Sequence, residues 1–596
     1  MTRTFVQLPT ELLEAIFFHL EPQSLLSVSQ TNRFINSITH APSIWRNLCQ
    51  KHYQTWAPHH DIAAKLTGPL SSVDWRSLFV YRVNVEREAL RLLNCILESP
   101  TNRIRHINQI ADFGYDVKET LLKQLGCPDD AEDVLARRYY AKVVLERIQR
   151  DMSISVWRDL LNGEDVPIEI ALGAYDMFTR IGPDVEFETI TTDLDQLAAA
   201  LLKQHPGLPE CDTRSKACTV ASFLREQGFN GVSDALYEAL RNSFIGFALH
   251  SQNHESLPLI SVAIFCALAR QVGLDARPCA VLSHVYCIVH APKNYTLDGD
   301  YKPTSTDELH TMYLDPFRTS SEIPSSDLHN MLREIGIPTA EHGRFLAPTD
   351  TRNMVLRTAR NIMNSVQIIR GRDVGTNGIN STWRDSYPDI DASFYAAVWS
   401  MTILGPREGA FGGFSDMAAR RRQYLPYLID HLRSHHPWDV TLFQRYVLPF
   451  FDNERERERL ERFGDATLYK DGQPRAPKPR DGNVKNVLFR VGQLFKHKRY
   501  FYEGIITGWD VECDAGEEWI QNMGVDRLSG GRHQAFYHVL VSDKSVRYVA
   551  EENISHFPET TEPTPAIMML AGRHFKRWDG SERRFVSNVR DEYPDD

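Results

Sequence analysis

The spacing of hydrophobic residues divides the chain into helical and strand-like stretches. Up to residue 462, apolar side chains recur mainly at every third or fourth position, which predicts helices packed by one face. Within this stretch, an apolar helix from Leu259 to Val272 leads into strand-like runs around residues 285–289 and 312–317. Beyond residue 486 the period becomes two, in short runs between Gly, Asp and Ser turns, which predicts a small β-barrel. The predicted fold class is multidomain and mainly α, with an α+β middle and a C-terminal all-β domain.

Composition is that of an ordinary globular protein. Hydrophobic residues make up 42% and charged residues 24% of the 596 residues, which argues against global disorder. The net charge of −11 gives no overall attraction to nucleic acids or anionic membranes. The nine cysteines contain no C-x-x-C pair and predict unpaired thiols in a reducing compartment. Since the first residues lack a signal-peptide pattern and no apolar run reaches the roughly 18 residues of a membrane span, we expect a cytoplasmic and/or nuclear protein with no membrane partner.

Residues 5–48 form a short unit of predicted helices. Pro9 is tolerated in the first turn of its first helix, and Pro22 ends that helix. Apolar residues recur at helical spacing along it: Leu8, Leu12, Leu13, Ile16, Phe17 and Leu20. So short a unit cannot bury all its apolar surface alone. It is either a cap packed on the next domain or a module that docks helix-in-groove on a partner.

The order of residues favours the docking module, because the string LPTELLEAIFFHLEPQSLLSVSQTNRFINSITHAPSIWRNL resembles the F-box. The Leu-Pro start, the Ile-Phe pair, the Leu-Leu after a proline, Arg33 and Trp45 fall in the family's register. The resemblance implies binding to a Skp-type adaptor and, through it, to a cullin-RING ligase. The expected adaptor-binding residues are Leu8, Pro9, Leu12, Ile16, Phe17 and Leu25. One sequence does not tell which of them face the core and which the partner.

Residues 226–330 combine a helix, strands and a candidate catalytic pair. The apolar helix stops at Gly273, His284 begins a strand-like run, and Asp315 lies in the next strand-like run. Helix, then His, then Asp is the layout of a cysteine nucleophile triad, with the cysteine at the start of the helix. The segment resembles the transglutaminase-like superfamily, especially its SirB-like branch, through the helix end, the Ser283–His284 strand entry and the string LDPF.

This resemblance places the family's cysteine position on Pro258, which has no nucleophile. Cys266 lies two turns further along the helix, about 12 Å away at a rise of about 1.5 Å per residue. We therefore expect His284 and Asp315 to persist as a hydrogen-bonded pair, with Pro258 as the third vestigial triad position, in a non-catalytic binding domain. The alternative is a cysteine-type hydrolase or acyl transferase.

The strands beyond residue 486 resemble the hemimethylated-DNA-binding-like (YccV-like) domain, through the strings GII, WD, FYHVLV and YVAEEN. Residues 487–557 hold eight Lys and Arg against ten Asp and Glu, a net charge of −2. Duplex binding requires several cationic contacts to phosphates, and only Lys496, Lys498 and Arg499 cluster. The charges disfavour tight DNA binding and favour protein recognition. A DNA-associated regulator is the alternative.

Aromatic residues mark the possible binding surface of this barrel: His497, Trp509, Trp519, Tyr537 and His538. We expect His497 and His538 to be hydrogen-bonded to each other. Adjacent histidines at 59–60 and 435–436 suggest metal ligands, but neighbours on a helix point apart and no companion ligands stand nearby in the sequence. No metal and no cofactor is predicted.

Together these patterns predict a non-catalytic substrate receptor of a Skp-cullin-F-box ubiquitin ligase. It would recruit an unknown protein substrate through its transglutaminase-like and YccV-like domains. The predicted domains are an F-box at 1–50, a helical scaffold at 51–225, the transglutaminase-like domain at 226–330, a helical extension at 331–462, a linker at 463–486, the YccV-like β-barrel at 487–557 and a tail annexed to it at 558–596.

Overall fold

The fold class predicted from the sequence is confirmed by the secondary structure. Helices predominate up to residue 472, and strands with two short helices build the C-terminal region. None of the helices within the described ranges is long and apolar enough to cross a membrane. The computed structural model describes residues 8–182, 186–281, 284–302, 309–375, 388–405, 414–451, 453–480, 487–557 and 562–596.

The chain divides into two compact units, of which the first comprises residues 1–148 and 462–596. Asn32 and Asp74 cap two of its helices by accepting the backbone N–H of Ile35 and Ser77. Its N-terminal part is helical: α1 (Thr10–Phe17), α2 (Pro22–Ser29), α3 (Arg33–Thr39), α4 (Pro42–His52), α5 (Ile62–Thr67), α6 (Trp75–Glu98), α7 (Arg103–Ala111), α8 (Lys118–Leu125) and α9 (Val134–Asn162).

One hydrophobic core joins the first four helices to α6. Phe17, Leu25 and Trp45 are buried together with Phe79 of α6. The rings of Trp45 and Phe79 lie 5.5 Å apart, and Trp45 Nε1–H donates to the carbonyl of Thr39 at 2.7 Å. The N-terminal helices therefore do not close on themselves, since the long helix that follows them completes their core.

The second unit, residues 149–461, surrounds a small antiparallel sheet with helices. The sheet has the order β1-β2-β3-β4 and consists of β1 (Asp275–Val281), β2 (His284–His290), β3 (Thr311–Leu314) and β4 (Glu322–Ile323). The helices are α10 (Ile168–Thr179), α11 (Phe187–Gln204), α12 (Thr213–Glu226), α13 (Ile245–His250), α14 (Pro258–Gln271), α15 (Ser325–Glu334), α16 (His342–Phe345), α17 (Thr351–Gly375), α18 (Ile390–Leu404), α19 (Phe414–Ser434), α20 (Val440–Leu442) and α21 (Glu454–Gly472). Helix α14 packs against β1 and β2 and is buried from Pro258 to Ala269.

The C-terminal part of the first unit, called the β-domain below, is a five-stranded antiparallel sheet with a two-stranded addition. The sheet order is β8-β7-β6-β5-β9, and β10 pairs with β11. Residues beyond 558, including Phe575 and Phe585, lie in its hydrophobic core. The elements are β5 (Leu494–His497), β6 (Glu503–Asp510), α22 (Glu517–Met523), β7 (Phe536–Val541), β8 (Val546–Ala550), β9 (Ile554–His556), α23 (Pro565–Ala571), β10 (Phe575–Asp579) and β11 (Arg584–Ser587).

The segment before the β-domain is more ordered than its composition predicts. Residues 463–472 of the predicted linker continue α21, and the residues after it are fixed to the β-domain by ion pairs. Lys478 Nζ lies 2.7 Å from Asp510, and Arg480 lies 2.6 Å from Asp596. The segment looked like a linker because its contacts are made by Lys and Arg side chains, which a search for apolar residues does not detect. Residues 481–486 lie outside the described ranges, and the other domain boundaries stay predictions.

Candidate functional sites

The N-terminal helices leave an apolar surface open. Leu12 and Ile16 of α1 are 52% and 40% exposed, and Leu26 of α2 and Phe34 of α3 are 45% and 44% exposed. Pro9 is exposed at the start of α1, and Leu8 is partly buried against the core. These side chains are exposed although the core beneath them is filled. Leu12 and Ile16 are four residues apart and share one face of α1, and exposed large apolar side chains of this kind are typical of a site that another protein covers.

Two of the expected adaptor-binding residues belong to the core instead. Phe17 is 1% exposed and Leu25 is fully buried. Each stands next to a residue of the open surface, Ile16 and Leu26, because consecutive residues of a helix point in different directions. The periodicity identified both sets as apolar but could not assign them to inner and outer faces. Leu26 and Phe34 are exposed residues beyond the six expected from the sequence.

The His–Asp pair predicted in the middle domain is present. His284 Nε2 lies 3.0 Å from Asp315 Oδ2, and Asp315 Oδ1 accepts the backbone N–H of Phe317 at 3.2 Å. Asp315 is buried, and the His284 ring lies 4.6 Å from the ring of Tyr286. The carboxylate orients the imidazole as it would in a triad. Ser283 lies outside the described residues.

A proline and not a cysteine begins α14. Pro258 is its first residue, so this position contributes only a proline ring. Cys266 is buried further along α14, with its Sγ 3.8 Å from Sγ of Cys287 in β2. Side chains alternate between the two faces of a strand, so Cys287 and His284, three residues apart, point to opposite faces. Cys266 therefore lies on the sheet face away from the imidazole.

In the β-domain, an exposed histidine belongs to a polar cluster around Asp510. This carboxylate accepts hydrogen bonds from His538 Nε2 at 3.1 Å, Lys478 Nζ at 2.7 Å and the Tyr548 hydroxyl at 2.8 Å. Burial alone would raise the pKa of Asp510, but the donors hold that pKa well below its usual range. The side chain of His538 is 46% exposed, and Trp519 packs 5.7 Å from the Tyr548 ring.

Three of the five residues predicted for the binding surface are buried, which corrects that prediction. His497 is 4%, Trp509 2% and Tyr537 0% exposed. Trp509 Nε1–H donates to Asp596 at 2.7 Å, and the Tyr537 hydroxyl donates to Glu551 at 2.5 Å. Aromatic residues in a small β-fold fill its core first, because they bury the most apolar surface per residue.

The predicted hydrogen bond between His497 and His538 is also absent. His497 Nδ1 instead accepts the backbone N–H groups of Arg499 and Tyr500, each at 3.1 Å. His538 donates to Asp510. The two histidines therefore bind different partners. His497 lies inside a hairpin turn, and His538 lies on the surface.

One cluster of possible metal ligands, His59, His60 and Asp116, has its ligand atoms within 4.8 Å of one another. The spacing of residues in the sequence does not reveal this cluster, because Asp116 is far from the two histidines in the chain. Both carboxylate oxygens of Asp116 already have partners: Oδ1 accepts the backbone N–H of Ala57 at 3.0 Å, and Oδ2 lies 2.7 Å from His60 Nε2. The guanidinium of Arg82 lies 3.5 Å away and would repel a cation. The arrangement is that of a structural hydrogen-bond network.

Comparison with known proteins accounts for all three regions. Three family models match: F-box-like over residues 5–51, Transglutaminase-like superfamily over residues 188–360, and Hemimethylated DNA-binding protein YccV like over residues 487–582. No solved structure matches the chain. The chain is 23% identical to F-box only protein 21 of Pongo abelii and of Mus musculus, and 22% identical to that of Homo sapiens, in each case over 99% of this chain and 92% of the relative. The chain therefore matches an F-box-like, a transglutaminase-like and a YccV-like model in one polypeptide and is similar to F-box only protein 21 along almost its whole length.

Proposed function

We propose that the chain is the substrate receptor of a Skp-cullin-F-box ubiquitin ligase and contributes no catalytic residue of its own. The observation that carries the proposal is the open apolar surface on α1–α3. Its four largest side chains, Leu12, Ile16, Leu26 and Phe34, are each at least 40% exposed. The F-box-like match over residues 5–51 supports a Skp-type adaptor as the partner that covers them. Such a receptor would act in the cytoplasm, the nucleus or both.

The energetics of this surface support docking rather than permanent exposure. Full burial of a Leu, Ile or Phe side chain contributes about 1.5–3 kcal/mol, and these residues are already about half covered. A helix-in-groove complex would bury the part of these side chains that is still exposed, through anchor residues spaced along one face of a helix. Leu12 and Ile16 are separated by one helical turn and are suited to adjacent pockets of a groove.

A non-catalytic role is supported by the geometry of the transglutaminase-like region. Pro258 occupies the start of α14, and Cys266 lies on the sheet face opposite to His284. Covalent catalysis by a thiol needs the sulfur within hydrogen-bond reach of its base. We infer that the His284–Asp315 pair orders the start of β2 against the end of β3 and that the region contributes to recruiting a protein substrate.

The adaptor interface can be tested with a matched pair of double variants of the full-length chain. Leu12→Asp with Ile16→Asp places two charges on the proposed interface, whereas Leu236→Asp with Ile335→Asp alters two residues that are 40% and 52% exposed in the second unit. We expect only the first variant to lose a purified Skp-type adaptor in a pull-down. Circular dichroism at increasing temperature should show both folded. Retention of the adaptor by the folded first variant would refute the proposal, and equal loss by the second would show that the effect is not local.

A further inference from the structure

The charges of the β-domain are segregated along the sheet. Two hairpin segments, residues 496–503 and 541–547, carry five of the eight cations of residues 487–557 but only two of the ten acids. Their net charge is +3, while the remainder of this region carries −5. The two segments adjoin because Gly504 pairs with Val541, and the Arg547 guanidinium lies 4.2 Å from the centre of the Tyr502 ring. We call these two segments the basic hairpin end.

The tip of the first hairpin presents two aromatic side chains to solvent. Tyr500 is 64% and Phe501 is 70% exposed. Phe501 has a φ of 58°, a left-handed conformation that is rare for a bulky residue. The surrounding structure has to hold such a residue in place. The tip is thus fixed in the conformation that exposes both rings.

A buried histidine fixes this conformation. His497 Nδ1 accepts the backbone N–H groups of Arg499 and Tyr500, and the backbone N–H of Phe501 donates to the carbonyl of His497 at 2.9 Å. These bonds close the turn around one imidazole. Since the tip is already ordered, a ligand would not have to immobilise it, and preorganisation of this kind raises affinity.

The cations at the tip are available to a ligand. Lys498 Nζ donates to the backbone carbonyl of Glu552 at 2.7 Å, and Arg499 lies 5.4 Å from the centre of the Tyr500 ring. Within the described part of the chain, neither of them forms a salt bridge with a carboxylate. Exposed apolar rings flanked by such cations combine the two features that a ligand with acidic and apolar groups would recognise.

We infer that the basic hairpin end binds an acidic, extended segment of the substrate protein, with its apolar side chains against Tyr500 and Phe501. This inference rests on the proposed role as a substrate receptor and specifies the chemistry of the substrate. A short peptide fits the observations better than a nucleic acid. Single-stranded nucleic acids usually occupy a site of about 4–16 nucleotides. A nucleic acid of that length would extend beyond the basic hairpin end, and the acidic remainder of the β-domain would repel its phosphates.

The test is fluorescence anisotropy of the full-length chain with a short fluorescein-labelled peptide of alternating Glu and Leu. Lys498→Glu with Arg499→Glu should weaken binding about tenfold or more, which corresponds to the loss of a charge-assisted contact. Tyr500→Ser with Phe501→Asn should weaken it comparably at unchanged net charge, and Asn tolerates the left-handed backbone at 501. A peptide with Gln in place of Glu should not bind.

The matched control is Arg490→Glu with Arg527→Glu, which makes the same charge change at two exposed positions outside the basic hairpin end. Affinity should stay within about twofold. Equal weakening by this control, or no binding of the acidic peptide to the wild-type chain, would overturn the inference. Tighter binding of labelled oligothymidylate than of the peptide would overturn it in favour of a nucleic acid.

The failure of this inference is distinguishable from that of the proposed function. The Lys498/Arg499 variant should still bind the Skp-type adaptor, because the F-box surface is unchanged. A chain that binds the adaptor but not the peptide keeps the receptor role and refutes the substrate class. A chain that binds the peptide but no adaptor refutes the ligase role and leaves the peptide site standing.

Discussion

The guanidinium of Arg82 lies 3.5 Å from the carboxylate of Asp116, and neither side chain is exposed to solvent. Arg82 also lies 4.2 Å and 4.5 Å from the ring centres of Tyr53 and Trp56 and donates to the carbonyl of Thr55 at 2.7 Å. One side chain of α6 thereby ties the segment that follows α4 to the segment that precedes α8. The joint between the F-box and the helical scaffold therefore combines the apolar core around Trp45 and Phe79 with a buried cation.

Replacing this cation by an apolar side chain of similar length should destabilise the first unit strongly. We expect Arg82→Met to lower the free energy of unfolding by about 3–5 kcal/mol, because it removes the permanent cation beside the buried Asp116 carboxylate, which keeps its hydrogen bonds from His60 and Ala57. Urea unfolding followed by tryptophan fluorescence measures this, since Trp56 stands next to the substitution.

The control for this prediction is Arg91→Met on the same helix. Arg91 forms an exposed ion pair with Glu88 at 2.6 Å, and such pairs contribute about 0–1 kcal/mol. Similar losses in the two variants would contradict the assigned role of Arg82. The double variant Arg82→Met with Asp116→Leu should recover part of the lost stability, because it removes the uncompensated charge.

The sequence predicts most of what depends on periodicity and residue order. Helical spacing and the F-box-like string identified the N-terminal module, and the positions of His284 and Asp315 predicted a contact that the structure shows at 3.0 Å. The switch from period 3.6 to period 2 predicted the all-β C-terminal region. The helices and strands follow from local spacing. The contact between His284 and Asp315 follows from the strand order that the resemblance to the transglutaminase-like superfamily implies.

What the sequence did not predict depends on which way a side chain points and on contacts between distant residues. Trp509 looked like a surface aromatic but is enclosed, because Asp596 accepts its indole N–H. Arg480 looked like part of a linker but pairs with the same Asp596. Phe17 and Ile16 are adjacent and both apolar, yet only the second is exposed. Composition and spacing do not distinguish a buried residue from an exposed residue of the same type.

Asp176 should make stability depend on pH in the second unit. Burial is the main cause that raises the pKa of its carboxyl to about 6, while the backbone N–H of Gly246 opposes that shift by donating to Oδ2. An acid whose pKa is higher in the folded than in the unfolded state stabilises the fold when protonated. Its contribution is lost as pH rises from about 4 through 6.

Asp176→Asn removes this titration while keeping an oxygen that accepts from Gly246. Near pH 4 the variant and the wild type should be similarly stable, and above pH 6 the variant should be more stable by about 3 kcal/mol, since each pKa unit corresponds to about 1.4 kcal/mol. Chemical unfolding in urea at several pH values measures the difference. A stability difference that stays constant between pH 4 and pH 7 would show that Asp176 does not titrate in this range.

Cys266 should be dispensable for function, although its region resembles a family with a catalytic cysteine. Its sulfur lies against Cys287 on the sheet face opposite to His284, so it cannot pass a proton to that imidazole. Cys279 of β1 offers a matched control, because it is also buried. Burial raises the pKa of its thiol to about 12. We expect Cys266→Ala and Cys279→Ala each to cost about 1 kcal/mol of stability and to leave complementation of a deletion strain intact. Loss of complementation by Cys266→Ala alone, at a melting temperature equal to that of Cys279→Ala, would mean that the thiol acts chemically and that the chain is an enzyme.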